Sequence, residues 1–434
     1  MRVRRMMRSG KGQVNVVMLK PFSDLARAVP LDGVAAAFRQ FAARGKALAG
    51  DAAAKGKALP LRDYVPEMKP FSTLERALTL GGVAPAFLLG CGVHVEHRER
   101  IVLPPPDYSY LSGGQSAPAA APAPTAPAPA SLKSSVAALV GGFQGTVGVA
   151  VTSVDEGWTV SANGDRKLPQ QSVSKLWVAM TILDLRDQGR LTLDDKITIT
   201  KADLTLFHQP VAALIKDDAG YTATVGEIMR RAMQMSDNTC NDKLLRLAGG
   251  PQAVRDFIAR KGLGSIRFGP GERDLQSATA GLKWKPEYSM GNAFAQARAQ
   301  LAPGVRLAAF EAYVADPPDG AAPEAIAQAL ARLKRGELLS PSSTAWLIAT
   351  MEEAKTGKAR VRGAVPAGWS YGHKTGTGQD LRGRTAGYND VGILTAPNGK
   401  SYAIAVMIGD TPRPIPDRQQ LMQAVAAAIV ASHG

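Results

Sequence analysis

The 434-residue sequence contains little cysteine, only Cys91 and Cys240. Two cysteines are too few for a disulfide framework, and neither has a partner at the spacing that a zinc site needs. Cys240 is therefore predicted to be a small buried residue. Long apolar runs are also scarce, and the run from Ala77 to Cys91 is too short to predict a membrane span. The sequence thus excludes a disulfide-stapled scaffold and does not predict a multi-span membrane protein.

A strongly basic nucleic-acid-binding patch is also absent, although the formal net charge is +15. Residues 1–67 contain 13 Lys or Arg and 5 Asp or Glu, which leaves only +7 for the other 367 positions. The large C-terminal part has no arginine-rich or aromatic-interleaved segment. Hydrophobic residues make up 45% and charged residues 21%, as in ordinary globular proteins. We therefore expect no nucleic-acid partner.

The N-terminal third contains an internal repeat. Two 20-residue segments, from Leu19 and from Met68, agree at 13 positions with an offset of 49. Residues 1–67 are expected to be an extension with little folded structure, either a duplication or the product of a start site placed too far upstream. Read from Met68, residues 68–91 have the basic start and apolar centre of a signal peptide. They end in Leu-Leu-Gly-Cys, which is similar to a bacterial lipobox whose cysteine is acylated.

This pattern predicts export to the periplasm, with a membrane tether through an acylated Cys91. The alternative interpretation of residues 68–91 is a buried apolar helix. Residues 92–130 form a predicted linker, because the Pro/Ala-rich segment 116–131 cannot bury a core and favours extended polyproline geometry. The remaining residues, 131–434, are predicted to form one domain and to act as a monomer.

The fold class predicted for residues 131–434 is α+β. Two alternating segments near its start predict paired strands, and strand patterns return near its end, at 368–378, 389–397 and 401–409. Helical patterns lie mainly between them, at 175–188, 225–235, 323–333 and 340–351, and a last helix is predicted from about Asp417 to Ala431. We expect an antiparallel sheet formed from both ends of the domain, with flanking helices and an inserted all-helical subdomain.

Three short motifs indicate the chemistry. Ser172 and Lys175 lie three residues apart, so a helix would place both on one face. Ser236-Asp237-Asn238 follows a predicted helix, and Lys374-Thr375-Gly376 ends a predicted strand. Each motif alone is common by chance, but the three in this order are the signature of class A β-lactamases and penicillin-binding proteins. The sequence from about Ser131 onward resembles a class A serine β-lactamase, with a β-lactamase/transpeptidase-like fold.

Each residue type suits a step of acyl transfer. Ser172 at a helix start is a candidate nucleophile, because a hydroxyl beside a base can attack a carbonyl. A lysine serves as that base when burial beside other cations lowers its pKa, and the apolar residues after Lys175, together with Lys374, predict such surroundings. Ser236 is predicted to relay a proton to the leaving lactam nitrogen. Asn238 is predicted to donate its amide to the substrate side-chain carbonyl.

The resemblance implies the remaining substrate contacts. Lys374, Thr375 and Gly376 are expected to bind the substrate carboxylate. The N–H groups of Ser172 and Thr377 match the oxyanion hole of the family. His208 lies where the family has an aromatic residue that forms a wall of the pocket. The alternative interpretation is a surface histidine with no role in the site. No metal and no organic cofactor are expected.

The residue expected to activate the deacylating water is Glu272, with Gln276 in place of the family asparagine on a longer and looser side chain. The alternative for Glu272 is a solvated loop glutamate. Pro270 replaces the arginine that fixes this loop in the family. About thirty extra residues follow Gln276, and their alanine-rich composition predicts short helices beside the active site.

The sequence therefore predicts an exported serine β-lactamase that hydrolyses penicillins or cephalosporins through an acyl-serine intermediate and so confers antibiotic resistance. One alternative is a D-alanyl-D-alanine peptidase or transpeptidase that uses the same motifs on peptidoglycan. The other is a non-catalytic β-lactam sensor that is acylated once. Glu272 favours the hydrolase, because rapid loss of the acyl group needs a water-activating carboxylate.

Overall fold

The computed structural model describes residues 124–433. The predicted extension at 1–67, the predicted signal segment at 68–91 with Cys91, and the linker up to residue 123 lie outside the described residues. Helix α1 begins at Ala130, one residue before the predicted start of the domain. The predictions for the N-terminal segments therefore stay predictions.

A five-stranded antiparallel sheet forms the centre of the described domain. Its strands are β1 (Thr146–Ser153), β2 (Thr159–Ala162), β7 (Ser370–Thr377), β10 (Tyr388–Thr395) and β11 (Ser401–Asp410). Their order is β2-β1-β11-β10-β7, so β1 from the start of the domain pairs with β11 from its end. The prediction of a sheet formed from both ends is confirmed.

Shorter strands pair outside this sheet. They are β3 (Leu168–Pro169) with β6 (Gly320–Ala321), β4 (Lys196–Ile199) with β5 (Tyr221–Thr224), and β8 (Asp380–Leu381) with β9 (Arg384–Thr385). The β4–β5 pair lies inside the region predicted to be all-helical, which is therefore helical apart from this ribbon. Both strands are only four residues long, too short for a clear alternating pattern.

Five of the described helices were predicted with bounds from their periodicity, and short helices were predicted in the insertion. The described helices are α1 (Ala130–Gly141), α2 (Lys175–Asp187), α3 (Val225–Gln234), α4 (Asn238–Leu247), α5 (Pro251–Arg260), α6 (Glu272–Thr279), α7 (Ala293–Gln300), α8 (Pro303–Ala315), α9 (Pro323–Lys334), α10 (Pro341–Glu352) and α11 (Ile415–Ala431). Helices α1, α4, α5 and α6 were not predicted. The predicted bounds of four helices agree with those of α2, α3, α9 and α10 to within two residues at both ends. Helix α11 begins two residues before the predicted Asp417.

The sheet is covered on both faces, which explains why nearly every residue of β1 and β11 is buried. Helices α1 and α11 pack on one face, where Leu132 and Val425 join Val149 in one apolar cluster. On the other face, α2, α9 and the helical region form a larger cluster with Ala150 and Ala405. Two cores of this size hold the edge strand β7, and with it the site described below, in a fixed position.

Local capping sets where the helices near the site begin. The Asp237 carboxylate accepts a hydrogen bond from the Cys240 N–H and so caps α4. The Asp242 carboxylate accepts from the N–H groups of Glu272 and Arg273, at 2.9 and 3.3 Å, and fixes the start of α6. Burial, together with the nearby Glu272 charge, raises the pKa of Asp242 to about 6. Cys240 is fully buried, as predicted.

Candidate active site

Ser172 lies in a single 3-10 turn, Gln171–Ser174, which leads directly into α2. Lys175 is the first residue of that helix, and its Nζ lies 2.7 Å from the Ser172 Oγ. The Lys175 side chain is fully buried. The spacing of three residues therefore produces the predicted contact between hydroxyl and amine.

A second hydroxyl–amine pair lies on the other side of the cleft. Lys374 on β7 donates to the Ser236 Oγ at 2.9 Å, across 138 residues of sequence. The Lys374 ammonium also donates to the Thr375 carbonyl at 2.8 Å. Burial, with the neighbouring cations Lys175 and Arg360, holds the pKa of Lys374 well below its ordinary value. An amine that gives up its proton readily can supply Ser236 during proton transfer.

Glu272 completes this cluster. It is the first residue of α6 and is 4% exposed, so the interpretation as a solvated loop glutamate is wrong. Its carboxylate forms an ion pair with Lys175, which also donates to the Asn238 Oδ1 at 2.9 Å. Three groups thus share the Lys175 ammonium: the hydroxyl, the carboxylate and the amide oxygen. This arrangement can move a proton from a serine hydroxyl to a neighbouring base.

Gln276 does not have the loose arrangement that its length predicts. Its Nε2 donates to the Gln171 Oε1 at 3.0 Å and to Glu272 at 3.3 Å. Its backbone carbonyl accepts from Gln379, the second residue after β7, at 2.8 Å. Although the side chain is one methylene longer than that of asparagine, hydrogen bonds to its amide and to its backbone carbonyl fix Gln276 in place. The neighbouring glutamine side chains provide the complementary donors and acceptors.

Pro270 stands where the family has an arginine, and a buried hydrogen-bonded network of Gln171, Tyr313 and Asp319 lies beside the turn that contains Ser172. The Asp319 carboxylate accepts from the Gln171 N–H at 2.7 Å and from the Tyr313 hydroxyl at 3.0 Å. The Tyr313 hydroxyl in turn accepts from the Gln171 Nε2 at 2.7 Å. Burial raises the pKa of Asp319 to about 6. Tyr313 belongs to α8 in the insertion, so the insertion supports the residue that precedes the nucleophile.

The predicted substrate-binding residues of β7 are held by a buried arginine that was not predicted from the sequence. Arg360 donates to the Thr377 Oγ1 at 2.6 Å and to the Gly376 carbonyl at 3.0 Å. Its guanidinium lies 3.8 Å from the centre of the Tyr388 ring. No local motif identifies Arg360, since it lies in an irregular segment between α10 and β7. Its position beside Thr377 adds a second cation to the end of the cleft that contains Lys374.

The loop that contains His208 forms another wall. The His208 carbonyl accepts from the Asn238 N–H, and the Leu206 carbonyl accepts from the Asn238 Nδ2, both at 2.9 Å. One Asn238 amide hydrogen therefore remains for a substrate carbonyl. His208 is exposed and lines the cleft, as predicted, and so does Phe207, which was not predicted.

These groups line a cavity of about 610 Å³ that is open to solvent. It contains Ser172, Ser236, Asn238, His208, Gln276, Thr375 and Thr377 of the predicted set, with Arg298, Thr356, Arg360, Gln379 and Asp380 in addition. Lys175, Glu272 and Lys374 lie behind this surface, in hydrogen-bond contact with it. The structure therefore brings every predicted site residue to one place.

Backbone strain accumulates at this cavity. Gln171, Phe207 and Ser236 all have positive φ values, at 53°, 59° and 61°, although none is glycine. Such conformations cost free energy and persist where the surrounding contacts hold them. Gly376 also shows how tight the site is, because a Cβ there would lie 2.3 Å from the Gln170 carbonyl oxygen. Only glycine fits next to the turn that contains the serine.

Among residues 124–433, no group of three or more His, Cys, Asp and Glu side chains is placed to hold a metal ion. In the same part of the chain, no helix is long and apolar enough to cross a bilayer. The fold and the contact between Ser172 and Lys175 are those of a serine hydrolase.

Comparisons with known proteins agree. A family model described as "Beta-lactamase enzyme family" matches residues 131–432. The extended-spectrum beta-lactamase PER-1 of Pseudomonas aeruginosa is 30% identical over 281 residues, which are 64% of this chain and 80% of that protein. A solved beta-lactamase from Chitinophaga pinensis aligns with TM-score 0.57 and 30% identity over 69% of this chain and 97% of its own. The TLA-1 extended-spectrum beta-lactamase aligns with TM-score 0.58 and 27% identity over 70% and 98%. The chain therefore belongs to the beta-lactamase enzyme family, as a class A serine enzyme.

Proposed function

We propose that this protein hydrolyses the four-membered-ring amide of penicillins and cephalosporins through an acyl-Ser172 intermediate. The observation that carries the proposal is the contact of one buried ammonium, Lys175, with both the Ser172 hydroxyl and the Glu272 carboxylate. It gives the nucleophile and the water-activating group a common proton partner.

In the first half of the reaction, the Ser172 Oγ attacks the lactam carbonyl and its proton passes to the Lys175–Glu272 pair. The N–H groups of Ser172 and Thr377 stabilise the oxyanion. The bond from carbonyl carbon to nitrogen then breaks. Ser236, hydrogen-bonded to Lys374, delivers a proton to the leaving nitrogen and regains one from Lys374. The proton held by the Lys175–Glu272 pair then replaces the one lost by Lys374, so that Glu272 is again a carboxylate, and the product is an ester on Ser172.

In the second half, Glu272 removes a proton from a water molecule that attacks this ester. The carbon–Oγ bond breaks, Ser172 regains its proton, and the ring-opened acid leaves. Gln276 supports this step, because its Nε2 contacts the Glu272 carboxylate. At the other end, Lys374, Thr375 and the Arg360–Thr377 pair bind the ring carboxylate.

The alternatives differ in what happens after acylation. When a β-lactam acylates a D-alanyl-D-alanine peptidase, a transpeptidase or a β-lactam sensor, its acyl group stays on the serine for long periods. The buried position of Glu272 against Lys175 supports rapid deacylation and therefore the hydrolase. We further propose a monomer that is exported to the periplasm and tethered through an acylated Cys91, on the basis of the sequence of residues 68–91.

The experiment is to measure nitrocefin hydrolysis by the purified protein and by its Ser172→Ala variant. We expect many turnovers per molecule for the parent enzyme and a loss of about 10³-fold or more in kcat for the variant. A single stoichiometric burst from the parent enzyme would instead support the sensor or peptidase. Full activity of the Ser172→Ala variant would remove Ser172 from the mechanism.

A further inference from the structure

The insertion after Gln276 brings a cation to the cavity. Arg298, on α7, lines the cavity and is partly exposed. Its Nη1 donates to the Gln379 Oε1 at 3.2 Å, and its guanidinium lies 5.6 Å from the centre of the Phe294 ring. Phe294 packs edge-on against Phe207, with ring centres 5.3 Å apart. The ring against which the Arg298 guanidinium lies is therefore itself held in place.

The charge of Arg298 has no acidic partner among the described residues, since its contacts are an amide oxygen and an aromatic ring. In the same region Arg267 pairs with Asp316, and Arg384 pairs with both Glu311 and Asp410. Arg306, which also belongs to the insertion, donates to the Asp380 backbone carbonyl and adds to the positive charge around Arg298. Within the described chain, the acidic side chain that lines the same cavity is Asp380, which is exposed. An arginine left unpaired in a substrate cavity is suited to bind an anion.

The position of Arg298 identifies which part of a substrate it would meet. In a bicyclic β-lactam the carboxylate is attached next to the ring nitrogen, whereas the acylamino side chain is attached next to the carbonyl carbon. Lys374, Thr375 and Arg360 take the carboxylate, so the side chain extends past Thr377 along the strand toward Gln379. Gln379 is hydrogen-bonded to both Gln276 and Arg298.

We propose that Arg298 recognises a negatively charged group on the acyl side chain of the β-lactam. This inference rests on the proposed function and adds a second anion-binding position to the one for the ring carboxylate. The preferred substrates are then β-lactams whose side chain carries a carboxylate of its own.

The test uses two substrates that differ by one carboxylate, benzylpenicillin and α-carboxybenzylpenicillin. The measured quantity is the ratio of kcat/KM for the carboxylated compound to kcat/KM for benzylpenicillin. The Arg298→Gln variant should lower this ratio by about five- to tenfold, as for loss of a half-buried charged contact. Arg298→Lys should retain part of it, because the charge stays and the planar fork is lost.

Two further variants test the sign and the locality of the effect. Asp380→Asn should raise the ratio, because it removes the opposing charge from the cavity. Lys283→Gln removes an exposed cation from the same insertion and should leave the ratio unchanged. High salt should lower the ratio of the parent enzyme more than that of Arg298→Gln.

Benzylpenicillin turnover by Arg298→Gln shows that the variant is folded. An unchanged ratio in that variant, or an equal loss on both substrates, would overturn the inference. Absence of benzylpenicillin turnover by the parent enzyme is a different result, since it would overturn the proposed function itself.

Discussion

Two buried polar clusters flank the 3-10 turn that contains Ser172. They differ in whether the buried carboxyl group has a cation as its partner. In the catalytic cluster, the Lys175 ammonium and the Glu272 carboxylate form an ion pair. In the supporting cluster of Gln171, Tyr313 and Asp319, a buried carboxyl is surrounded by neutral donors and its pKa is raised to about 6. The ion pair keeps charges available for proton transfer, whereas the supporting cluster holds the backbone of Gln171 through its N–H.

The two clusters also differ in origin: one uses residues that match the motifs of the family, and the other uses residues of the insertion. The catalytic cluster uses residues of the three motifs and the glutamate of α6. The supporting cluster and Arg298 use the insertion, since Tyr313 lies on α8 and Arg298 on α7. The groups of the catalytic cluster therefore lie outside the insertion, whereas the supporting cluster and Arg298 depend on it.

The largest expected effect comes from breaking the ion pair. Lys175→Met leaves the Glu272 carboxylate buried without its cation, which typically costs about 3–5 kcal/mol of stability. It should also lower kcat by about 10²- to 10⁴-fold, because the serine loses its proton partner. Chemical denaturation and steady-state kinetics measure both quantities.

Lys175→Met combined with Glu272→Gln is the control for this prediction. Removing the unpaired charge should recover stability but not activity. If the single variant is as stable as the parent enzyme, the ion-pair description of the catalytic cluster is wrong.

Asp319 of the supporting cluster should make the free energy of unfolding depend on pH. The pKa of Asp319 is about 6 in the folded protein and its ordinary value is 3.8. The folded carboxyl therefore keeps its proton where the unfolded chain has lost it. Its stabilising contribution is complete below about pH 4 and is lost as pH rises through about 6, a change of about 3 kcal/mol.

The Asp319→Asn variant isolates this contribution. We expect its free energy of unfolding to fall less steeply between pH 4 and 7 than that of the parent enzyme. Asp242 contributes a fall in the same direction and is present in both proteins, so the difference between the two curves is the relevant measurement. Identical slopes would contradict the assignment.

A smaller effect is expected from Tyr313→Phe. The change removes the hydroxyl that donates to Asp319 and accepts from Gln171, which should cost about 1–2 kcal/mol. Thermal unfolding measures this loss, and Tyr221→Phe on β5 is a matched control. The supporting role would be refuted if both tyrosine variants unfolded at the temperature of the parent enzyme.

Much of this site was predictable, because its motifs are local. Ser172 and Lys175 meet across one turn, and Asp237 caps the helix that follows Ser236. The sheet was predictable from alternating segments at both ends of the domain. Glu272 could be identified by its spacing from Gln276, but its burial at the start of a helix could not.

The rest depends on contacts between distant positions that have no pattern of their own. Arg360 reaches Thr377 from an irregular segment, and Tyr313 reaches Gln171 across 142 residues. The tight arrangement of Gln276 also follows from such contacts, since its partners Gln171 and Gln379 lie more than 100 residues away on either side. Side-chain composition alone does not predict which of many polar residues will meet.

The proposed role of Glu272 is to release the acyl group from Ser172 by activating water. The most direct test is intact-mass spectrometry of the Glu272→Gln variant after brief exposure to benzylpenicillin, with Ser172→Ala as the control that cannot be acylated. We predict a persistent adduct with the mass of one whole penicillin on Glu272→Gln and none on Ser172→Ala. Unchanged turnover by Glu272→Gln, with no adduct, would contradict the proposed role.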